Sequence, residues 1–128
     1  MNLKELKELV IGDLTSPIPI IQGGMGVCVS LAGLASAVAN EGGIGVIATA
    51  GIGMDEPDLG TNFVEANTRA LRKQIRQART MTKGILAVNI MSALSNYAEL
   101  VQVSIEEKID LIISGAGLPM NLPQYLTK

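Results

Sequence analysis

The chain contains no histidine and no tryptophan among its 128 residues, and its one cysteine is Cys28. Without histidine, these residues cannot form a Ser-His-Asp triad, a histidine-ligated metal site or histidine-based acid–base chemistry. A single cysteine allows no intrachain disulfide and is typical of a reducing, cytoplasmic compartment. We therefore predict no catalytic histidine and no metal site within this sequence.

Aromatic residues and charge of one sign are also scarce. The aromatics are one phenylalanine and two tyrosines, and the formal net charge is −2. Few aromatic platforms and no basic excess argue against nucleic-acid binding. No apolar run approaches the roughly 20 residues of a membrane span, and the charged N-terminus lacks the apolar core of a signal peptide. We expect a cytoplasmic protein with neither a nucleic-acid nor a membrane partner.

Small and aliphatic residues are abundant. Hydrophobic residues make up 48% of the chain, charged residues make up 17%, and there are 14 glycines. This composition is typical of a globular protein in which aliphatic helices pack closely on a sheet. Because no segment has the composition of a linker, residues 1–128 are expected to form a single domain.

Short apolar runs predict the strands of this domain. Each run is rich in isoleucine, valine and leucine and is bounded by proline, glycine or polar residues. The runs that we predict as strands are residues 18–22, 44–49, 85–90 and 110–114.

Helical patterns separate these strands and also precede the first one. The spacing predicts a short helix over residues 2–10, and a second helix that Ser30 caps. Asn62 is expected to cap a long helix that reaches to about residue 79, and Tyr97 marks the inner face of a further helix. The basic cluster of residues 69–83 lies opposite the apolar stripe of the long helix and is expected to face solvent.

Alternation of strands and helices predicts a parallel sheet with right-handed crossovers. It is compatible with an open doubly wound sheet, which would suit a plain nucleotide-binding domain, or with part of a (β/α)8 barrel. A complete barrel needs about 250 residues, and half of one leaves two strand edges unpaired. For a half-barrel we expect either a homo-oligomer or a missing C-terminal half.

The first candidate site segment comprises Gln22, Gly23, Gly24 and Met25, directly after a predicted strand. Ligands of parallel sheets bind where the strands end, and glycines there let a flat ring approach bare backbone. The same residues are equally compatible with a tight strand-to-helix connection. They are not a dinucleotide fingerprint, because the G-x-G-x-x-G order is absent.

Two later strands end in similar candidates. The amide of Asn89, near the end of an apolar run, needs polar partners, which a bound ring or the neighbouring loops would supply. Small residues then end the last predicted strand and leave room for a substrate, or simply form a turn; they are Ser114, Gly115, Ala116 and Gly117.

Taken together, these motifs resemble the nitronate monooxygenase family, formerly called 2-nitropropane dioxygenases. The family is a set of FMN-dependent (β/α)8 barrels that includes the flavin-dependent enoyl-acyl carrier protein reductases. The resemblance covers nearly all of the chain from Ile11 onward and rests on segments in the family's order. These segments are residues 19–25, 31–43, 67–71, 88–89 and 115–119.

The resemblance implies parallel β/α units that form the N-terminal half of a (β/α)8 barrel, with FMN as cofactor. The family's catalytic histidine follows a later strand and has no counterpart here, so no catalytic residue is assigned. The residues assigned to FMN are Gln22, Gly23, Gly24, Met25 and Asn89. The residues assigned to the substrate pocket are Ser114, Gly115, Ala116 and Gly117.

The implied activity is a flavin-dependent oxidation of a small-molecule substrate, an alkyl nitronate, with oxygen as acceptor. The runner-up is a flavin-dependent enoyl-acyl carrier protein reductase, because the motifs are shared between the two branches. A non-catalytic, truncated domain that self-associates through its open edges is a third alternative. As a fragment, the chain is expected to be inactive alone.

Overall fold

The computed structural model describes residues 5–126 of the chain. The chain begins with an antiparallel hairpin of β1 (Leu9–Ile11) and β2 (Leu14–Ser16). Gly12 lies in the two-residue connection with φ +56°, a conformation that glycine adopts without steric penalty.

The hairpin corrects the prediction of a helix over residues 2–10. Leu9 and Val10 lie in β1, while residues 1–4 are outside the described part of the chain. Leu9 and Ile11 pack against a buried cluster on one face of the main sheet. This burial outweighs a short helical pattern, which has little stability of its own.

A parallel sheet forms the centre of the fold. Its strands are β3 (Gly45–Ala48), β4 (Leu86–Met91) and β5 (Leu111–Gly115), in the order β3-β4-β5. All three were predicted, with ends that differ by about one residue. The helices are α1 (Ala32–Asn40), α2 (Phe63–Met81), α3 (Tyr97–Glu106) and α4 (Leu122–Leu126).

The predicted strand over residues 18–22 also runs parallel to β3, but it pairs over a short stretch. Ile21 forms an isolated parallel bridge with Ile44. The Ile44 N–H donates to the Ile20 carbonyl at 2.9 Å, and the Gln22 N–H donates to the Ile44 carbonyl at 3.0 Å. The four segments therefore lie side by side in chain order.

Helices cover one face of this sheet. Ile47, Val88 and Ile90 belong to one buried cluster with residues of α1, α2 and α3. The opposite face carries Val46 and Ala87, which the hairpin covers. A doubly wound sheet has helices on both faces. Helices confined to one face are the arrangement of a (β/α)8 barrel, as predicted.

The predicted helix caps do not form. Leu31 and Asn62 occupy the N-cap positions of α1 and α2, and neither makes a side-chain cap hydrogen bond. The hydroxyl of Ser30 is directed instead to the segment after Gln22. Tertiary partners thus compete successfully with local capping at this position.

Among residues 5–126, no helix is both long enough and apolar enough to cross a bilayer.

Candidate functional site

All of the predicted site residues lie at one end of the sheet, which we call the carboxyl edge. It comprises residues 22–26 beyond the bridge, 49–53 after β3, 89–92 at the end of β4 and 114–117 at the end of β5. The register places Asn89 beside Ala48 on β3 and beside Ile113 on β5. None of these residues is ionisable, so their side chains carry no charge.

Gly24 and Asn89 are in direct contact. A Cβ atom at Gly24 would lie 2.9 Å from the Asn89 Cβ and 3.3 Å from the Val46 Cγ1. Carbon atoms do not approach so closely, so the contact requires glycine. At Gly23 and at Gly115, in contrast, a Cβ would meet nothing within 4 Å. Bare backbone is therefore open to a ligand at these two positions.

Asn89 combines a fixed main chain with a side chain that has spare hydrogen-bonding capacity. Its carbonyl accepts from the Thr49 N–H at 3.1 Å and from the Thr49 Oγ1 at 3.0 Å. Its Nδ2 donates to the Ile113 carbonyl over a long 3.4 Å. Its Oδ1 accepts no hydrogen bond from residues 5–126. The half-buried amide can therefore serve a ligand that offers a donor.

Gln22 and Met25 differ from the other candidates of the first segment. The Gln22 side chain bonds to the backbone of Val46 and to Ser30. Met25 is 61% exposed, while its N–H donates to the Ser30 hydroxyl. Gln22 is thus occupied by the protein, and Met25 presents an apolar side chain at the edge.

The segment after β5 is a turn held by hydrogen bonds. The Gly115 carbonyl accepts from the N–H of Ser92 at 2.7 Å and from its Oγ at 2.9 Å. Ala116 and Gly117 are exposed, with φ of +54° and +143°. The Ser114 hydroxyl lies 3.1 Å from the Tyr97 hydroxyl, on the helical side of the sheet. Ser114 is thereby directed away from Asn89, whereas the backbone of Gly115 remains open.

Sequence reasoning missed Ser92, Asn67 and the hydroxyl of Tyr97. Asn67 is buried in α2, where its Oδ1 accepts from the Gly53 N–H at 3.1 Å and its Nδ2 donates to the Phe63 carbonyl at 2.7 Å. It therefore holds the loop after β3 at the carboxyl edge. The available signal was a polar residue within the apolar stripe of a predicted helix.

The charged groups that form ion pairs lie on α2, at the end of α3 and in the loops beside these helices. Hydrogen bonds from Arg76 and Arg72 hold the pKa of the Glu107 carboxyl below its usual range, against the opposing effect of burial. Hydrogen bonding to Arg69 likewise lowers the pKa of Asp58. These pairs tie helices and loops together.

Comparison with known proteins places the fold in context. The solved structures that resemble it include FabK from Thermotoga maritima and a point mutant of that protein; each is 35% identical to this chain, with a TM-score of 0.65. Each match covers 84% of this chain but only 30% and 31% of the respective FabK chains. No match was found among curated protein sequences.

The sequence model of the family described as nitronate monooxygenase matches residues 7–122. That match takes in the hairpin, the whole sheet and the carboxyl edge. The chain belongs to the nitronate monooxygenase family.

Proposed function

We propose that this chain is the flavin-bearing N-terminal part of an FMN-dependent oxidoreductase that oxidises alkyl nitronates. The observation that carries the proposal is the carboxyl edge itself. Open backbone at Gly23 and Gly115 lies at the same edge as an amide, that of Asn89, with an unused acceptor. The family match supports the flavin-dependent class of reaction.

The residues of the carboxyl edge fit the ring of FMN. A flat ring needs backbone without side chains beneath it, and the glycines at 23 and 115 provide that space. The edge of a flavin ring carries both N–H donors and carbonyl acceptors, which match the Oδ1 and Nδ2 of Asn89. When bound, FMN supplies the redox chemistry, and the protein supplies binding and orientation.

The described residues would orient the ring and shape the space above it. Thr49 fixes the main chain of Asn89, so the amide is held at one height along β4. In this proposal the small residues Gly115, Ala116 and Gly117 border the substrate, and Ser114 supports their turn through Tyr97. No histidine is present in this sequence, so in this proposal a histidine that transfers the proton would come from another part of the complete protein.

Reduction of an enoyl thioester is the second candidate, because the family that the chain belongs to includes flavin-dependent enoyl-acyl carrier protein reductases. The FabK chains, which are 35% identical to this one over the matched region, show that the same fold is shared with its structural neighbours. The two reactions use the same flavin edge and differ in the substrate and in the redox partner of the flavin.

The test is a completed barrel. We would join this chain to the remaining part of the Thermotoga FabK chain, with FabK divided and rejoined at the same point as the control. The purified protein would be assayed with alkyl nitronates plus oxygen, and with an enoyl thioester plus NAD(P)H. We expect a yellow protein that turns over nitronates. Turnover of only the thioester would select the second candidate, and a colourless protein beside a yellow control would contradict the flavin assignment.

A further inference from the structure

The side chain of Gln22 replaces a peptide group beside β3. The main chain pairs normally at Ile44, which bonds to backbone atoms of residues 20 and 22. At Val46, the next residue that faces this side, both partners are side-chain atoms. The Val46 N–H donates to the Gln22 Oε1 at 3.0 Å, and its carbonyl accepts from the Gln22 Nε2 at 3.1 Å. A primary amide carries the same donor and acceptor as a peptide, so it satisfies both groups.

Because the Gln22 side chain bonds to Val46, the main chain after Gln22 is free to leave the sheet. We call residues 23–25 the released segment. Had the ladder continued, the N–H of Gly24 would have donated to the Val46 carbonyl. Instead, neither Gly23 nor Gly24 donates its N–H to any residue within 5–126. Two successive peptide donors are therefore free at the carboxyl edge, next to the amide of Asn89.

Ser30 secures the far end of the released segment. It is 1% exposed, and its Oγ accepts from the Met25 N–H at 3.0 Å and from the Gln22 Nε2 at 3.1 Å. Its own N–H donates to the Met25 carbonyl at 2.9 Å, and its carbonyl accepts from the Ala48 N–H at 2.9 Å. The buried serine, which directly precedes the N-cap of α1, thus connects Met25 of the released segment to Ala48 of β3.

We propose that Gln22 and Ser30 are positioning residues, which hold the peptide groups of Gly23 and Gly24 off the sheet and available to the flavin ring. Gln22 was assigned to the cofactor by resemblance; its amide acts through the backbone that it displaces. The inference rests on the proposed function, since it names the flavin as the ligand of these donors. Polar side chains joined in a hydrogen-bond network hold one geometry more firmly than an apolar contact does.

The first measurement uses the 128-residue chain without FMN. Amide hydrogen exchange would be compared in wild type, Ser30→Ala and Gln22→Met. We expect Ser30→Ala to raise the exchange rate of the Met25 amide about tenfold, because that N–H loses its acceptor. For the same reason, Gln22→Met should raise the exchange rate of the Val46 amide about tenfold. Ser36→Ala and Gln77→Met are the controls. Ser36 is an equally buried serine whose hydroxyl donates to the Ala32 carbonyl within α1 and lies 3.7 Å from the Met81 sulfur, away from the carboxyl edge, and Gln77 is exposed on α2.

The second measurement is FMN affinity, by flavin fluorescence and visible circular dichroism, in the completed barrel under conditions where every variant is fully folded. We expect the dissociation constant to rise about tenfold in Ser30→Ala and in Gln22→Met, and to stay unchanged in both controls. The two substitutions act at different ends of the segment, so one remains informative if the other prevents folding.

The outcomes separate this inference from the proposed function. Unchanged amide exchange rates at Met25 and Val46 would contradict the hydrogen bonds that we assign to Ser30 and Gln22. Faster exchange with unchanged FMN affinity would overturn the positioning role and leave the flavin assignment standing. An equal loss of FMN affinity in Ser30→Ala and Ser36→Ala would show that the effect comes from a general loss of stability, and would overturn the inference. Absence of FMN binding in wild type would overturn the proposed function, and the positioning role with it.

Discussion

Gly24 is a residue of the carboxyl edge at which one added methyl group would collide with the side chain of Asn89. Its backbone lies against the root of the Asn89 side chain, which cannot swing away as the end of a long side chain can. Gly23, its neighbour, faces open space. Two adjacent glycines therefore serve different purposes, one for close packing inside the protein and one for access from outside.

Gly24→Ala is expected to lower the free energy of unfolding by about 1–3 kcal/mol, because the new Cβ displaces Asn89 or Val46. Gly23→Ala is the matched control, with an expected change within about 0.5 kcal/mol. Chemical denaturation of both variants measures the difference. In the completed barrel, Gly23→Ala should weaken FMN binding despite its normal stability. Equal stabilities of the two variants would contradict the packing that we describe.

At the scale of elements, α2 is tied to its surroundings by arginines along its polar face. The sequence predicted this face to be simply solvated. The structure shows that Arg69 pairs with the loop after β3, Arg72 and Arg76 with the end of α3, and Arg79 with Asp110 before β5. The helix face is exposed as predicted, but its charges meet carboxylates that other elements bring to it.

Glu107 is the centre of this set, since it accepts from Arg76 at 2.8 Å and from Arg72 at 2.6 Å. Its pKa is lowered in the folded protein, so the stability that it contributes is complete above the ordinary carboxyl pKa and is lost as pH falls below it. We expect Glu107→Gln to lower the melting temperature at neutral pH. The gap from wild type should then narrow from about pH 5 to about pH 3.

Thermal unfolding followed by circular dichroism across this pH range tests the prediction. Glu99→Gln is the control, because Glu99 lies on α3, the helix that Glu107 directly follows, and makes no ion pair with any residue between 5 and 126. A gap that stays constant with pH, or an equal effect of the control, would show that the ion pairs at Glu107 do not support the fold.

At the scale of the whole molecule, the sheet has two edges without strand partners among residues 5–126. One is the segment at residues 20–22, beside a shallow apolar groove of about 360 Å³ against α1. The other is β5, beside a groove of about 350 Å³ that Ile112 and Leu122 help to line. Unpaired edges with apolar surroundings favour association with another chain.

We therefore expect the 128-residue chain to self-associate as its concentration rises. Ile20 is 49% exposed at the first edge, and Ile20→Asp should shift the equilibrium towards monomer, since it places a charge beside Glu41 in the groove. Val10→Asp is the control, because Val10 is 64% exposed on the hairpin. Sedimentation velocity over a concentration series measures both. A wild-type chain that stays monomeric throughout would contradict the prediction.

Much of the architecture could be predicted because it depends on local pattern. The runs that became β3, β4 and β5 are continuous apolar stretches, and the long stripe of α2 has a clear helical period. The predictions that were wrong concerned short segments. Residues 9–11 form a strand of a hairpin, and Ser30 bonds to Gln22 and does not cap α1. In both cases, tertiary contacts stabilise the observed conformation more than the local helical interactions would.

The sequence by itself determined that parallel β/α units would form and that their glycine-rich and amide-bearing ends would share one edge. The pattern of buried side chains carries that information directly. Only the tertiary structure decided which of those residues remain open and which are held by protein partners. Gln22 and Ser114 were candidates equal to Asn89 until the fold gave them protein partners, since a hydrogen bond between distant residues leaves no periodic trace in the chain.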